Sequence, residues 1–133
     1  MALREIITVG DPKLRQPSRP VRKITPRIRK LIDDMVETMH AEDGIGLAAA
    51  QVGELRQVIV VEVPDHEEIP HSGERYIVVN PEIVKASHET LIGIEGCLSV
   101  PGFNGEVERA EEVVVRGLDE YGKPFRARLR GFV

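Results

Sequence analysis

One cysteine, no tryptophan, two tyrosines and three phenylalanines in 133 residues leave little sulfur or aromatic surface to build with. The lone Cys97 cannot make a disulfide framework or a Cys-only zinc module, which need sulfurs in pairs or fours. No apolar run approaches the roughly 18 residues that cross a bilayer. The opening stretch also places Arg4 and Glu5 where a signal peptide needs its apolar core. A reducing, cytoplasmic setting with no membrane partner is the expectation.

The shortage of aromatics also bears on nucleic acid. Residues 1–30 hold nine basic side chains against Glu5 and Asp11, although the whole chain carries a formal charge of −4. Arg15, Arg19, Arg22 and Lys23 are interleaved with prolines and have no aromatic beside them on which a base could stack, so no direct nucleic-acid binding is expected. Glu106, Glu108, Glu111 and Glu112 sit beside a valine run and read as a solvated strand face. At this length one domain is predicted, spanning residues 1–133.

What the chain does contain is one plain helix and several short β-branched runs. Thr25 followed by Pro26 is a helix start, with a hydroxyl cap and a proline where its missing N–H costs nothing. Ile28, Leu31, Ile32, Met35, Val36 and Met39 then recur at the spacing of one buried face, with Arg29, Lys30, Asp33, Asp34 and Glu37 assigned to the opposite face. Strands are predicted at Val58–Val63, Tyr76–Val79, Ile83–Ala86 and Val113–Val115, with Asn80-Pro81 as a strand break. Asp119 to Gly122 should form a hairpin turn feeding a returning strand from Pro124 to Arg130. The fold class is α+β, an N-terminal helix packed with mostly antiparallel β-sheets, with strand order left open.

Two segments break from this background. In Gly44-Ile-Gly-Leu-Ala-Ala-Ala-Gln51 small residues let another backbone approach, and a single amide offers both a donor and an acceptor; the same run could equally be an Ala-rich packing seam. In Ile94-Glu-Gly-Cys97-Leu-Ser-Val-Pro101 the only cysteine precedes a turn. A free cysteine is most often a small buried hydrophobe; as a nucleophile or metal ligand it needs partners, and His40, His66, His71 and His88 show no spacing that supplies them.

Together, in this order, and preceded by Gly10-Asp-Pro-Lys-Leu-Arg15, the two segments resemble the first two signature motifs of the peptide deformylases, and the resemblance runs along essentially the whole chain. It implies removal of the N-formyl group from the initiator methionine of nascent polypeptides by a bound divalent metal, natively Fe(2+), with Zn, Ni or Co as alternatives. N-formylmethionyl peptides, including ribosome-associated nascent chains, would be the partners. By matching position, Cys97 would be the thiolate metal ligand, while the Gln51 side chain and the Leu98 backbone N–H would bind the formyl oxygen. Gly44, Ile45, Gly46, Glu95 and Gly96 would line the methionine pocket and pair with the substrate backbone. Ala50 stands where the family has Pro or a small residue, a harmless change.

The family's third motif, a helical His-Glu-x-x-His carrying two ligands and the general base, is absent, and Arg130-Gly-Phe-Val133 resembles the lead-in to that helix. The expectation is a C-terminally incomplete domain, inactive alone and of marginal stability, with an exposed apolar groove. A non-catalytic homologue binding formyl-peptides or other peptides, or one half of a split enzyme, are the alternatives.

Overall fold

The structure is a computed structural model describing residues 2–131 and 133; Met1 and Phe132, the latter within the lead-in segment, lie outside the described residues. Its one long helix, α1 (Pro26–Ala41), begins as the sequence predicts: the Thr25 hydroxyl accepts the Ile28 N–H at 3.3 Å and Pro26 opens the first turn. Ile28, Leu31, Ile32, Met35 and Met39 are buried on one face, each contributing roughly 2 kcal/mol of transfer free energy. Val36 packs partly against them.

Asp34 departs from expectation. Assigned to the solvent face, it is 1% exposed. The N-terminal segment crosses α1 at this point and supplies its partners: Ala2 N–H donates to Oδ1 at 2.8 Å and Arg4 Nε to Oδ2 at 2.9 Å, while Lys30 Nζ reaches Oδ2 at 3.1 Å. A buried carboxylate is tolerable when its oxygens are fully engaged by charged and backbone donors.

Seven strands follow: β1 (Gly46–Ala48), β2 (Val58–Glu62), β3 (Arg75–Ala86), β4 (Thr90–Gly96), β5 (Asn104–Ala110), β6 (Glu112–Leu118) and β7 (Pro124–Arg130). Five of them form an antiparallel sheet in the order β1-β2-β3-β6-β7, so β1 is an edge, and β4-β5 form a separate two-stranded ribbon. Leu47, Val58, Val60 and Val79 present the sheet's inner face to α1, and Ala49, just after β1, joins them to close one core. The turn before β7 is the predicted hairpin: Asp119 Oδ1 accepts the N–H groups of Tyr121 and Lys123, and Gly122 takes φ +84°.

The expected break at Asn80-Pro81 is instead a bulge inside one twelve-residue strand, β3. Asn80 adopts φ +54°, and its amide clamps the arm before α1, accepting from Val21 N at 2.7 Å and donating to Val21 O at 2.8 Å. Pro81, which has no N–H to pair, falls within the register shift, so the ladder resumes beyond it. Strand β4 was not anticipated. Its apolar residues neither alternate cleanly nor bury: Ile92 and Ile94 are 68% and 74% exposed, and Phe103, just before β5, is 75% exposed.

Candidate functional site

Both candidate segments sit where regular structure ends. After α1, Gly44 N–H returns to Met39 O at 2.9 Å, the chain turns through the exposed Ile45 into edge strand β1, and a single 3-10 turn, Ala49–Val52, carries Gln51. Gly53, at φ +81°, closes that turn, a conformation that favours glycine. The Gln51 amide is pinned at both ends. Its Oε1 accepts the Ala48 N–H at 3.0 Å; its Nε2 donates to Ser99 Oγ at 3.1 Å and lies 3.5 Å from Cys97 Sγ. This set of partners decides which end of the amide faces Cys97.

Cys97 follows the last residue of β4 and begins a tight turn in which its carbonyl accepts the Val100 N–H at 2.9 Å. Its side chain is exposed. Leu98 is half-buried, and among the described residues its N–H makes no hydrogen bond, leaving a donor directly beside the thiol. Ser99 is buried at 3% exposure, with its hydroxyl on Gln51.

What brings the two segments together lies near the N-terminus. Ile7 N–H donates to Gln51 O and Val9 N–H to Ser99 O, each at 2.8 Å. Alternate amides of an extended segment point the same way, so one short stretch of backbone ties both loops at a fixed spacing. A second contact links them directly: Gly44 lies against Leu98, where a Cβ on the glycine would come within 2.7 Å of Leu98 Cδ1. Gln51, Cys97, Leu98 and Gly44 are therefore assembled in one place, from residues about 50 positions apart in sequence.

The remaining candidates are placed less centrally. Gly46 is in the edge strand, opposite Val61, and Gly96 ends β4 opposite Asn104. Glu95 is held by Arg109 in a two-pronged pair at 2.8 and 2.9 Å. Hydrogen bonding from that guanidinium keeps its carboxyl below the ordinary range. Ile45 remains 44% exposed, on the rim.

Three of the four histidines are engaged in other contacts, His66 accepting the Glu68 N–H at 3.3 Å, and His88 is exposed. His40 Nε2 meets Glu62 at 2.6 Å, and His71 joins Tyr76 and the Arg130 N–H at 3.3 Å each. Burial and the hydrogen-bonded Glu74 push the Tyr76 phenol up to about 12. Among the described residues no three His, Cys, Asp or Glu side chains form a group able to hold a metal ion. Cys97 is thus one donor where a catalytic centre needs about three, and the residues described do not by themselves fit a divalent metal.

Sequence reasoning missed Ser99 as the partner of Gln51, and Ile7 and Val9 as the tie. The β-branched run Ile6-Ile7-Thr8-Val9 was the available signal, since such a run is suited to an extended backbone.

Comparison with known proteins identifies the family and the fold. The chain matches the polypeptide deformylase family over residues 3–133. It is 52% identical over 124 residues to the peptide deformylase of Alkaliphilus metalliredigens, covering 92% of this chain and 78% of that one. The crystal structure of peptide deformylase from Ehrlichia chaffeensis in complex with actinonin superposes with a TM-score of 0.93 at 41% identity, covering 99% of this chain and 77% of that one. A Met-Ala-Ser-bound class I type b peptide deformylase from Acinetobacter baumannii gives a TM-score of 0.90 at 34% identity, covering 98% and 86% respectively. Matched in sequence from residue 3 onward and in backbone over nearly its whole length, the chain belongs to the peptide deformylase family.

Proposed function

We propose that this chain recognises N-formylmethionyl peptides and orients their formyl amide for hydrolysis. The observation that carries the reading is the Gln51 amide, held with its N–H end toward Cys97 and next to the unengaged Leu98 N–H. Held donors from both segments suit an oxygen on which negative charge grows during attack on the formyl carbon. Edge strand β1 has one free side on which the backbone of an extended peptide can pair, with Gly46 allowing close approach. Exposed Ile45 and the Gly44–Leu98 contact offer apolar surface for the methionine side chain, with Glu95 and Gly96, at the end of β4 just before Cys97, assigned to the same substrate. The Acinetobacter baumannii relative, bound to Met-Ala-Ser, supports a peptide of this kind as the ligand.

Divalent-metal chemistry, with Fe(2+) as the family's native ion, belongs to this reading as a requirement for donors beyond Cys97, supplied from outside the described residues. The natural substrates would be nascent chains in a bacterial-type cytoplasm. Titration of formyl-Met-Ala-Ser into the protein, with a formate-release assay run anaerobically with added Fe(II), tests the proposal. Binding that weakens about tenfold in Gln51→Leu is expected, a hydrogen bond to a developing or partial charge being worth that much. Undiminished binding in that variant, or none in a folded wild-type chain, overturns it.

The Gln51–Ser99 anchor, which is made without a metal, allows a second reading, a peptide-binding homologue without catalysis. It predicts metal-independent binding and no formate release even when a His-Glu-x-x-His helix peptide is added in trans. Release restored by that peptide would instead establish a split enzyme.

A further inference from the structure

The N-terminal arm and the first turn of α1 enclose a cleft of about 590 Å3, within the range of small-molecule sites. Arg4, Arg19, Arg22, Lys23, Arg27 and Arg56 line it, against a single carboxylate, Glu54. Arg4 is committed to Asp34 and Glu54. The other five cations make no ion pair among the described residues. Buried Val21, Ile28 and Leu31 form an apolar floor that lowers the local dielectric.

These charges are placed by backbone that is tied down on both sides. Arg19 N–H donates to Leu55 O and Gln57 N–H to Arg19 O, both at 2.9 Å, so Arg19 and Arg56 are held side by side as a parallel bridge. Asn80 clamps Val21 through both of its backbone groups. Five uncompensated cations converge on one concavity of a chain whose net charge is −4. Their mutual repulsion is a cost of folding that a multivalent anion relieves, and like charges lining a cleft focus the field at its centre. Guanidinium forks match phosphate oxygens, while no aromatic side chain lines the cleft to stack a base.

We propose that this cleft binds a short chain of phosphate groups, a di- or triphosphate, either free or carried on a nucleotide. None of Gly44, Gln51, Cys97 or Leu98 lines it, so the inference stands apart from the deformylase reading.

Calorimetric titration of sodium tripolyphosphate into the 133-residue protein tests this, with orthophosphate, ATP and a single-stranded RNA oligomer as further probes. Saturable one-to-one binding of tripolyphosphate is expected, with orthophosphate at least about tenfold weaker because it reaches fewer of the cations. Arg19→Ala/Arg56→Ala should weaken tripolyphosphate about tenfold, Arg19→Lys/Arg56→Lys should retain part of the affinity, and formyl-peptide binding should not change in either. Both side chains are exposed, and an unaltered melting transition verifies the fold of each variant. ATP binding equal to tripolyphosphate identifies the phosphate chain alone as the ligand; tighter ATP binding identifies a nucleotide. Tripolyphosphate affinity that is absent, or indifferent to the double alanine variant, overturns the proposal. So does RNA binding tighter than tripolyphosphate with a steep salt dependence, which would make the face a nucleic-acid surface.

Discussion

Gly44 and Leu98 touch so closely that no methyl group fits between them: a Cβ on Gly44 would lie 2.7 Å from Leu98 Cδ1 and 3.4 Å from its Cγ. The clashing atom is the tip of a flexible side chain, so Gly44→Ala is expected to cost only about 1 kcal/mol of stability while displacing Leu98. Formyl-peptide affinity should fall several-fold with the melting temperature nearly unchanged. Gly117→Ala gives the opposite pattern, because its Cβ would meet the Val79 carbonyl at 2.6 Å and Val78 Cγ1 at 2.8 Å. Backbone cannot swing aside, and about 3 kcal/mol of destabilisation is expected in urea unfolding.

Ser99→Ala removes the hydroxyl that receives the Gln51 N–H at 3.1 Å. The amide keeps its anchor at Ala48 and gains freedom at the other end, so its donor is no longer aimed. Affinity for formyl-Met-Ala-Ser should drop about three- to tenfold, corresponding to one hydrogen bond of modest strength. The unformylated peptide serves as the control. If Gln51 acts on the formyl oxygen, the unformylated peptide should be far less sensitive to the substitution.

The helix, its buried face and the hairpin before β7 were legible in the sequence because they rest on local rules: a capped start, a 3.6-residue period and a turn with its glycine. Cys97 and Gln51 could be singled out because their surroundings are compositionally odd. Their proximity could not, since it depends on Ile7 and Val9, whose amides carry no mark in side-chain identity. Asp34 was misplaced for a related reason. Helical spacing puts it away from the apolar stripe, and only the crossing of Ala2 and Arg4 over that face buries it. Asn80-Pro81 looked like a terminator, yet a left-handed Asn turns it into a bulge.

Asp34→Asn should cost about 2 kcal/mol near neutral pH, the value of charged hydrogen bonds to a buried acceptor. Burial alone would raise this carboxyl, but the Ala2 N–H, Arg4 and Lys30 outweigh it and hold it below its ordinary 3.8. A lowered folded-state value means the stabilisation is complete above the unfolded value and is lost as pH falls through the folded one. Denaturant midpoints of wild type and variant should therefore be well separated at about pH 7 and converge as the pH is taken below the ordinary carboxylate range.

Asn80→Ala leaves both Val21 backbone groups without their 2.7 and 2.8 Å partners and puts a Cβ-bearing residue that lacks a compensating amide at φ +54°. A loss of about 3 kcal/mol is expected. Asn80→Gly separates the two effects: it relieves the strained backbone and still loses the clamp, so it should be destabilised by about 1 kcal/mol less, read from the same urea transitions.

The tie made by Ile7 and Val9 also turns two amide protons into reporters on the whole site. Each is shielded from solvent by a carbonyl of a different loop, 44 residues away in one case and 90 in the other, so neither can be protected by local structure alone. Their hydrogen–deuterium exchange rates should rise and fall together. They should quicken in variants that loosen either loop, and slow when a peptide binds beside Gln51 and Cys97. The order of assembly is constrained as well: during synthesis the segment from Ile7 to Val9 cannot complete its pairing until residue 99 has followed, which makes it among the last parts of the site to settle.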